Sequence, residues 1–318
     1  MGQSSHQGVA LSDGGQVHPA GRLPWRRLLI DRAQSRAGGA VAAERHIQPS
    51  SRRDRPDVVA HRGASDLVAE HTLRAYRSAL EGGADGLECD VRLTKDGHLV
   101  CVHDRRIDRT SNGRGVVSTL PLEQLQQLNF ETWKNPWADL DDEHDEADAP
   151  PGVVLTLKQL CELVHDWPRP VQLAIETKHP TRYAGLVERR LVEILARFGW
   201  TRRVGDGPAP VRVMSFAWMS LRRVRDAAPA VPTVYLMDRV AKRYRDGSLP
   251  AGAKIAGPSM AVVRAHPDYV DRLHARGHAV HVWVVNDPED LQLCVDLGVE
   301  AVITDRPADS LVSLRDRM

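Results

Sequence analysis

The sequence predicts an α/β protein folded as a TIM (β/α)8 barrel, with a small insertion after the second strand. Three observations support this prediction. The chain has 318 residues, which is enough for one large α/β domain. From residue 58 onward, short β-rich runs alternate with helical patterns. Five of these runs end in polar side chains, as in a barrel whose strand ends form the active site. A doubly wound open sheet is the alternative.

Eight strands are predicted, and helical patterns lie between most of them. The strands are Val58–His61, Gly86–Val91, Val171–Glu176, Val211–Phe216, Thr233–Met237, Met260–Val263, Ala279–Val285 and Ala301–Thr304. The helices are Thr72–Glu81, Thr181–Phe198, Ala217–Ala227, Pro267–Arg276 and Asp287–Leu297. This alternation is typical of a barrel built from repeated strand–helix units.

One interval breaks the alternation. About eighty residues separate Val91 from Val171, where a barrel normally needs one loop and one helix. The interval holds a hairpin signal, an acidic run at 139–148 and a predicted helix over Leu157–His165. We therefore expect an insertion at about 104–156, lying over one end of a barrel domain that spans 57–318.

Composition excludes several classes of function. The chain has 43 basic and 42 acidic residues, so no general affinity for nucleic acid or anionic membranes is indicated. No stretch approaches the roughly 20 apolar residues of a membrane span, which predicts no stable membrane insertion. Four widely spaced cysteines indicate reduced thiols and a cytoplasmic location. No oligomeric state is predicted.

Residues 1–56 differ from the rest of the chain. They contain nine arginines and no lysine against four acidic residues, with many Ser, Gly and Gln residues. Their only apolar cluster, at 28–30, is too short for a signal peptide. We expect a disordered basic leader or the product of an upstream start codon. A basic anchor for a partner is the alternative.

Three carboxylates indicate a cation site. Glu88 and Asp90 are two residues apart in a predicted strand, so their side chains share one face. Another predicted strand ends in Glu176 and Lys178, which also share one face. Carboxylates on an inward face need neutralisation, and their oxygens are natural ligands of Ca²⁺ or Mg²⁺. The alternative is a buried carboxylate pair neutralised by a cationic side chain such as Arg62.

A hairpin brings a histidine toward these carboxylates. Asp96-Gly97 is a strong signal for a two-residue turn. Such a turn would place Asp90 opposite His103, on the same face of the hairpin. The same register pairs Arg92 with Cys101 and Thr94 with Leu99.

Two histidines flank the carboxylate cluster. His61 ends the first predicted strand, and His103 follows the hairpin. Two histidines beside a cation and Arg62 suit the cleavage of a phosphoester, with charge neutralisation and proton transfer at the attacking and leaving oxygens.

The ordered motifs resemble those of the glycerophosphodiester phosphodiesterase family. The resemblance covers residues 58–312 and rests on His61-Arg62-Gly63, Glu70-His71-Thr72, Glu88-Cys89-Asp90-Val91, Thr94-Lys95-Asp96-Gly97, His103-Asp104, Glu176-Thr177-Lys178, Trp283-Val284-Val285-Asn286 and Thr304-Asp305-Arg306-Pro307. It implies a TIM barrel with an insertion after the second strand. The implied reaction is the hydrolysis of a small-molecule glycerophosphodiester to sn-glycerol 3-phosphate and an alcohol.

The resemblance also implies the roles of individual residues. One divalent cation would be held by Glu88, Asp90 and Glu176. Proton transfer would fall to His61 and His103. Phosphate oxygens would bind to Arg62 and Lys178, and the glycerol side would be lined by Trp283.

The chain departs from the family pattern at two positions. His71 stands where the family's motif has Asn, and Val284 stands where it has Thr. The mechanism requires neither group. Two alternative functions remain: a lipid phosphodiesterase similar to phospholipase D or sphingomyelinase D, and a non-catalytic barrel that binds glycerophosphodiesters. Low aromatic content, 5% of residues, argues against the first, and the presence of both histidines argues against the second.

Overall fold

The computed structural model describes residues 55–134, 152–179, 185–202 and 209–316. Nine strands lie within these ranges. They are β1 (Asp57–His61), β2 (Gly86–Leu93), β3 (Leu99–Cys101), β4 (Gln172–Thr177), β5 (Val211–Ser215), β6 (Thr233–Met237), β7 (Ile255–Pro258), β8 (Ala279–Trp283) and β9 (Ala301–Thr304).

Eight of these strands form a closed parallel barrel. The sheet runs in the order β1, β9, β8, β7, β6, β5, β4, β2, and β1 also pairs with β2. Val59 pairs with Gly86 of β2 on one side and with Ile303 of β9 on the other. Because an open sheet would leave one of these pairings unmade, the predicted barrel is confirmed.

Nine α-helices occupy the described residues. They are α1 (Leu73–Glu81), α2 (Leu122–Gln126), α3 (Leu157–Asp166), α4 (Leu186–Arg197), α5 (Trp218–Ala227), α6 (Met260–Ala265), α7 (Asp268–Ala275), α8 (Pro288–Asp296) and α9 (Pro307–Arg315). The predicted helices coincide with six of them to within a few residues, except that residues 181–184 lie outside the described part. No helix among those described is long and apolar enough to cross a membrane.

One predicted strand was wrong. The run Met260–Val263 is helix α6, and the barrel strand is the preceding segment Ile255–Pro258. The Ser259 side chain accepts a hydrogen bond from the Val262 backbone NH, which is the N-cap arrangement that starts a helix. The apolar, β-branched composition of the run was misleading, because pairing with β6 selects the Gly-Pro segment instead.

The register of the β2–β3 hairpin was also wrong by one residue. The strands are antiparallel, as predicted, but Leu93 pairs with Leu99 and Val91 with Cys101. The turn has three residues between Thr94 and His98, and Gly97 adopts a left-handed φ of 88°. A type I turn followed by a left-handed glycine is the common three-residue hairpin. The Thr94 hydroxyl stabilises it by accepting from the His98 backbone NH at 2.9 Å.

The strands separate two kinds of core. An inner cluster fills the barrel: Val59, Ala174, Met214, Val234, Leu236, Ala301 and Ile303. Side chains of opposite parity, such as Cys89 between the two carboxylates of β2, pack outward against the helices. Because parity alternates along a strand, His61 and Glu176 continue the inward faces of Val59 and Ala174 at the carboxyl ends of β1 and β4.

The segment between β3 and α3 packs around its own small core. It contains a 3₁₀ turn at Val117–Thr119 and helix α2. Its apolar cluster is Val100, Val102, Ile107, Val117, Leu125, Phe130 and Val154. The acidic run 139–148 lies outside the described residues, as does the predicted leader up to residue 54. The proposed bounds of leader and insertion stay predictions.

Candidate active site

Three carboxylates meet at the carboxyl end of the barrel. Glu88 and Asp90 lie on β2, Glu176 lies on β4, and the strand register pairs Asp90 directly with Glu176. All three side chains are buried, and one oxygen of each lies within 4.8 Å of the others. Adjacent inward positions of parallel strands hold them together, so the structure brings together the three carboxylates that the sequence singled out.

Two cationic side chains lie against this cluster. Lys178 Nζ is 2.9 Å from Asp90 Oδ1 and 2.8 Å from Glu176 Oε1. Arg62 Nε is 3.1 Å from Asp90 Oδ2. Glu88 receives a backbone hydrogen bond instead, from the NH of Arg62 at 3.2 Å. The cluster therefore holds three carboxylates against two cationic side chains.

The backbone that presents Arg62 is unusual. Arg62 has a φ of 61° and Gly63 a φ of 89°, both in the left-handed region. At Gly63 a Cβ atom would lie 2.6 Å from the carbonyl carbon of Ala75, so only glycine fits there. Non-glycine residues in this conformation cost free energy and occur often at functional sites. The turn directs both the NH and the guanidinium of Arg62 into the cluster.

The pKa values of the three carboxylates reflect both their burial and the charges around them. Burial, together with the charge of Asp90, raises the pKa of Glu88 well above its usual range. The same two causes raise the pKa of Glu176 to about 7. Burial also opposes ionisation of Asp90, but the hydrogen bond from His71 and the charge of Lys178 outweigh it and hold that pKa well below normal. Additional positive charge at the cluster would lower the pKa values of both glutamates and favour their ionised forms.

His61 is held by a network at the closing seam of the barrel. Its Nδ1 lies 2.7 Å from Oδ1 of Asp305, which follows β9. Asp305 also accepts from the Ser65 hydroxyl at 2.9 Å and from Asn286 Nδ2 at 2.7 Å. An ionised carboxylate only accepts hydrogen bonds, so Nδ1 of His61 is the donor in this pair and Nε2 is the ring nitrogen without the proton when the ring is neutral.

His103 has a similar partner but a different position from the one predicted. Its Nδ1 lies 2.7 Å from Oδ1 of Asp104, and Arg92 donates to its carbonyl oxygen. Val102, not His103, lies opposite Asp90, because its NH donates to the Asp90 carbonyl at 3.1 Å. His103 therefore follows the strand instead of pairing within it. Burial lowers the pKa of His103, while the charge of Asp90 opposes that shift.

Trp283 lies at the carboxyl end of β8, beside the cluster of polar strand ends. Its indole NH donates to the Gly257 carbonyl at 2.7 Å. The ring of Phe216 packs edge-on against it, with centroids 5.4 Å apart. The indole is thus fixed through its NH group and packs against Phe216 at the carboxyl end of β8.

Two groups near the carboxylates were not predicted as site residues. His71 is fully buried, and its Nε2 lies 3.0 Å from Asp90 Oδ2, while Nδ1 lies 2.8 Å from the hydroxyl of Tyr76. Glu70 Oε1 accepts a hydrogen bond from Nη1 of Arg62 at 3.0 Å. The family motif Glu70-His71-Thr72 was the available signal, but the contacts themselves depend on the folding of the β1–α1 loop.

The sequence that carries this site matches a known family. The model of the glycerophosphoryl diester phosphodiesterase family matches residues 61–309. The chain belongs to this family. The predicted enzyme class, a glycerophosphodiester phosphodiesterase, is confirmed with it.

Relatives of this family are similar over most of the chain. The protein named "Probable glycerophosphodiester phosphodiesterase 1" of Mycobacterium tuberculosis is 46% identical over 261 residues, covering 82% of this chain and 93% of its own length. A glycerophosphodiester phosphodiesterase of Bacillus subtilis is 33% identical over 261 residues, covering 80% of this chain and 85% of its own length.

Solved structures share the fold. A phosphodiesterase of Oleispira antarctica, in complex with the product sn-glycerol-3-phosphate, superposes with a TM-score of 0.67 at 22% identity and covers 82% of this chain and 97% of its own. A glycerophosphodiester phosphodiesterase of Parabacteroides distasonis gives a TM-score of 0.65 at 23% identity, covering 83% and 99%. At this identity the likeness concerns the barrel architecture.

Proposed function

We propose that the protein hydrolyses glycerophosphodiesters to sn-glycerol 3-phosphate and an alcohol, in a metal-dependent reaction with two histidines as general acid and base. One observation carries the metal dependence. Three buried carboxylates, with oxygens within 4.8 Å of one another, face two cationic side chains. Two of these carboxylates, Glu88 and Glu176, have raised pKa values because they are buried and lie beside the charge of Asp90.

Glu88, Asp90 and Glu176 would hold one divalent cation. Their hard oxygen atoms favour Ca²⁺ or Mg²⁺ over Zn²⁺, which prefers nitrogen and sulfur ligands. When bound, such a cation supplies charge neutralisation at the phosphodiester. The donor set fits this group, because it is buried, oxygen-rich and short of positive charge.

His61 and His103 would transfer protons through their Nε2 atoms. One removes a proton from the nucleophile, and the other donates a proton to the leaving alcohol oxygen as its bond to phosphorus breaks. In both rings an aspartate accepts from Nδ1 at 2.7 Å, which fixes the tautomer and the ring orientation. Overall, one water molecule is consumed for each diester.

Arg62 and Lys178 would bind the phosphate oxygens. Burial opposes the charge of both side chains, but the carboxylates around them together outweigh it and raise both pKa values: Asp90 with Glu70 and Glu88 for Arg62, and Asp90 with Glu176 for Lys178. Both therefore carry full positive charge beside the carboxylates. Trp283 would line the glycerol side. The relative that holds sn-glycerol 3-phosphate supports a small-molecule substrate of this kind.

A lipid substrate is a second candidate, favoured by one observation. Three large apolar side chains at the carboxyl end of β5 are exposed: Phe216 by 42%, Trp218 by 41% and Met219 by 39%. Phe216 also contacts Trp283. Apolar side chains at the mouth suit a diester whose alcohol or glycerol carries an acyl chain.

The test is a panel of diesters assayed with and without EDTA. Glycerophosphocholine, glycerophosphoethanolamine and lysophosphatidylcholine are compared, with release of glycerol 3-phosphate or lysophosphatidic acid measured directly. We expect glycerol 3-phosphate, loss of activity in EDTA, and recovery on adding Ca²⁺ or Mg²⁺. Preferential formation of lysophosphatidic acid would establish the lipid candidate instead. Binding without turnover of any diester would indicate the non-catalytic barrel.

A further inference from the structure

A single guanidinium connects two loops at the mouth of the barrel. Arg109 lies in the segment between β3 and α2, and its side chain reaches Glu70 in the β1–α1 loop. Nη1 lies 2.7 Å from Glu70 Oε2 and Nη2 lies 2.8 Å from Oε1, a bidentate pair. Nε donates to Asp104 Oδ2 at 2.7 Å. All three nitrogens of the guanidinium are thus engaged by two carboxylates.

Each of these carboxylates leads to a residue of the proposed reaction. Asp104 uses its other oxygen to accept from Nδ1 of His103. Glu70 accepts from Nη1 of Arg62 at 3.0 Å. Arg109 itself is one carboxylate removed from both, so any effect on the reaction acts through them.

The geometry distinguishes this contact from an ordinary surface ion pair. Exposed single pairs contribute little, but bidentate pairs within a network hold their geometry. Although the Arg109 side chain is 43% exposed, that of Glu70 is only 10% exposed. The pKa of Glu70 falls to about 2, because the Arg109 hydrogen bond and the charge of Arg62 outweigh burial.

A nearby arginine shows what a local pair looks like. Arg106 places Nε and Nη2 on one oxygen of Asp108, at 3.1 and 3.0 Å, and its side chain is 57% exposed. Among the described residues, Asp108 accepts one further hydrogen bond, from the backbone NH of Gly115. Within that part of the chain this pair does not lead to a site residue, so Arg106 is a matched control for Arg109.

We propose that Arg109 is a positioning residue of this enzyme, which orients His103 through Asp104 and Arg62 through Glu70. The proposal rests on the roles of His103 and Arg62 in the proposed function. Without Arg109, Asp104 is free to turn toward water and release the His103 ring. Glu70 likewise loses the partner that holds it across the mouth.

Kinetics of R109A, R109K and R106A test the proposal with glycerophosphocholine as substrate. We expect kcat of R109A to fall by about 10- to 100-fold, the usual scale for groups that orient a functional side chain. R106A should match the wild type. R109K should recover little, because an ammonium lacks the planar fork that reaches two carboxylates. Guanidinium ion, added below unfolding concentrations, should restore part of the activity of R109A and leave R106A unchanged.

A spectroscopic readout separates this proposal from the proposed function. The Nδ1–H proton of His103, assigned by its absence in H103Q, should shift or vanish in R109A and persist in R106A. This result would support positioning even if the wild type released no glycerol 3-phosphate, which would contradict the proposed function. Wild-type kcat in R109A, or an unchanged His103 signal, would overturn the proposal. So would a loss of activity that follows thermal unfolding and is not rescued by guanidinium.

Discussion

The two histidines of the site sit in similar pairs but in different parts of the molecule. His61 ends β1, and Asp305 directly follows the neighbouring barrel strand β9. His103 and Asp104 lie in the segment that follows β3. The Nδ1–Oδ1 distance is 2.7 Å in both pairs, yet the His61 side chain is 16% exposed and that of His103 is 34% exposed.

The supports of the two pairs differ more than the pairs themselves. Asp305 is held by the neutral groups of Ser65 and Asn286, and its own NH donates to the Asn286 side chain. Asp104 is held by the guanidinium of Arg109. One pair is therefore fixed by the hydrogen-bonded closure of the barrel, and the other by a partly exposed charge. We expect the His61–Asp305 pair to contribute to folding stability and the His103–Asp104 pair to contribute mainly to activity.

The largest effect should come from the carboxylates that both pairs face. E88Q and E176Q remove a charge but keep the shape, so the divalent cation should bind weakly. We expect activity to fall by about 10³-fold or more, since several kcal/mol of charge stabilisation are lost. Calorimetric titration with Ca²⁺ or Mg²⁺ should show the weaker binding directly. E81Q, at the exposed end of α1, is the control. Full activity in EDTA, after verified removal of metal, would contradict the metal requirement.

Removal of each histidine in turn compares the two halves of the site. H61A and H103A should each lose about 10²- to 10⁴-fold in kcat/KM, the scale of general acid–base catalysis. The double variant should be far less than multiplicatively worse, because the two rings act as one unit. Near-wild-type turnover in either single variant would require another acid or base.

The pH profile of kcat/KM should be bell-shaped in the wild type. Burial lowers the pKa of His103. The limb of the profile that reports His103 should therefore have its midpoint below the ordinary histidine pKa of about 6.5. The H103A variant should lose the limb of the profile that reports His103 and keep the other limb. A profile unchanged by H103A would exclude a proton-transfer role for this ring.

Removal of the two aspartates sharpens the contrast. D305N and D104N should each lower kcat by about 10- to 100-fold, because the ring loses the acceptor that fixes its tautomer. Only D305N should also lower the free energy of unfolding, by about 1–3 kcal/mol, since three partly buried donors, from His61, Ser65 and Asn286, share this carboxylate as their acceptor. D104N should cost less than about 1 kcal/mol, as expected for a partly exposed pair. Equal stability of the two variants would remove the distinction.

The ion pair between Glu70 and Arg109 should make the free energy of unfolding depend on pH. The folded-state pKa of Glu70 is about 2, below the unfolded value of 4.5. Its contribution, at most about 3 kcal/mol, is present above the unfolded pKa and is lost as pH falls toward 2. In urea unfolding, E70Q should therefore lose less stability than the wild type over this range. R109M should lie between them, and identical pH curves for all three proteins would contradict this linkage.

The smallest effect is expected at the hairpin turn. The His98 side chain is 54% exposed, and its Nε2 lies 3.8 Å from Asp96 Oδ2 at the turn. H98A should leave kcat unchanged and alter the free energy of unfolding by less than about 0.5 kcal/mol. A large loss of activity would show that the turn takes part in the site.

Sequence reasoning worked best where a residue's position follows from its own strand. Alternation along β2 and β4 places Glu88 and Glu176 on one inward face, and the strand ends place His61 beside them. It failed where competing local preferences were decided elsewhere. Met260–Val263 has strand-like composition, but Ser259 caps a helix there and β6 pairs with the preceding segment.

The hairpin shows the same limit within five residues. Asp96-Gly97 identified the turn and its direction, but not whether two or three residues form it. The Thr94 hydroxyl bonds the His98 NH and the Asp96 carboxylate, which stabilises the longer turn and shifts the register. Even so, His103 reaches the site, because the chain continues past the strand and Asp104 holds the ring.

The sequence by itself determined the alternation of strands and helices, the inward carboxylates and the polar strand ends, since each follows from periodicity along one segment. Only the tertiary structure decided which loops meet above them. Arg109 has no sequence signal as a site residue, because its partners, Glu70 and Asp104, lie on different segments of the chain. Contacts between loops depend on how the whole barrel closes. Local sequence preferences carry no information about the distance between two loops.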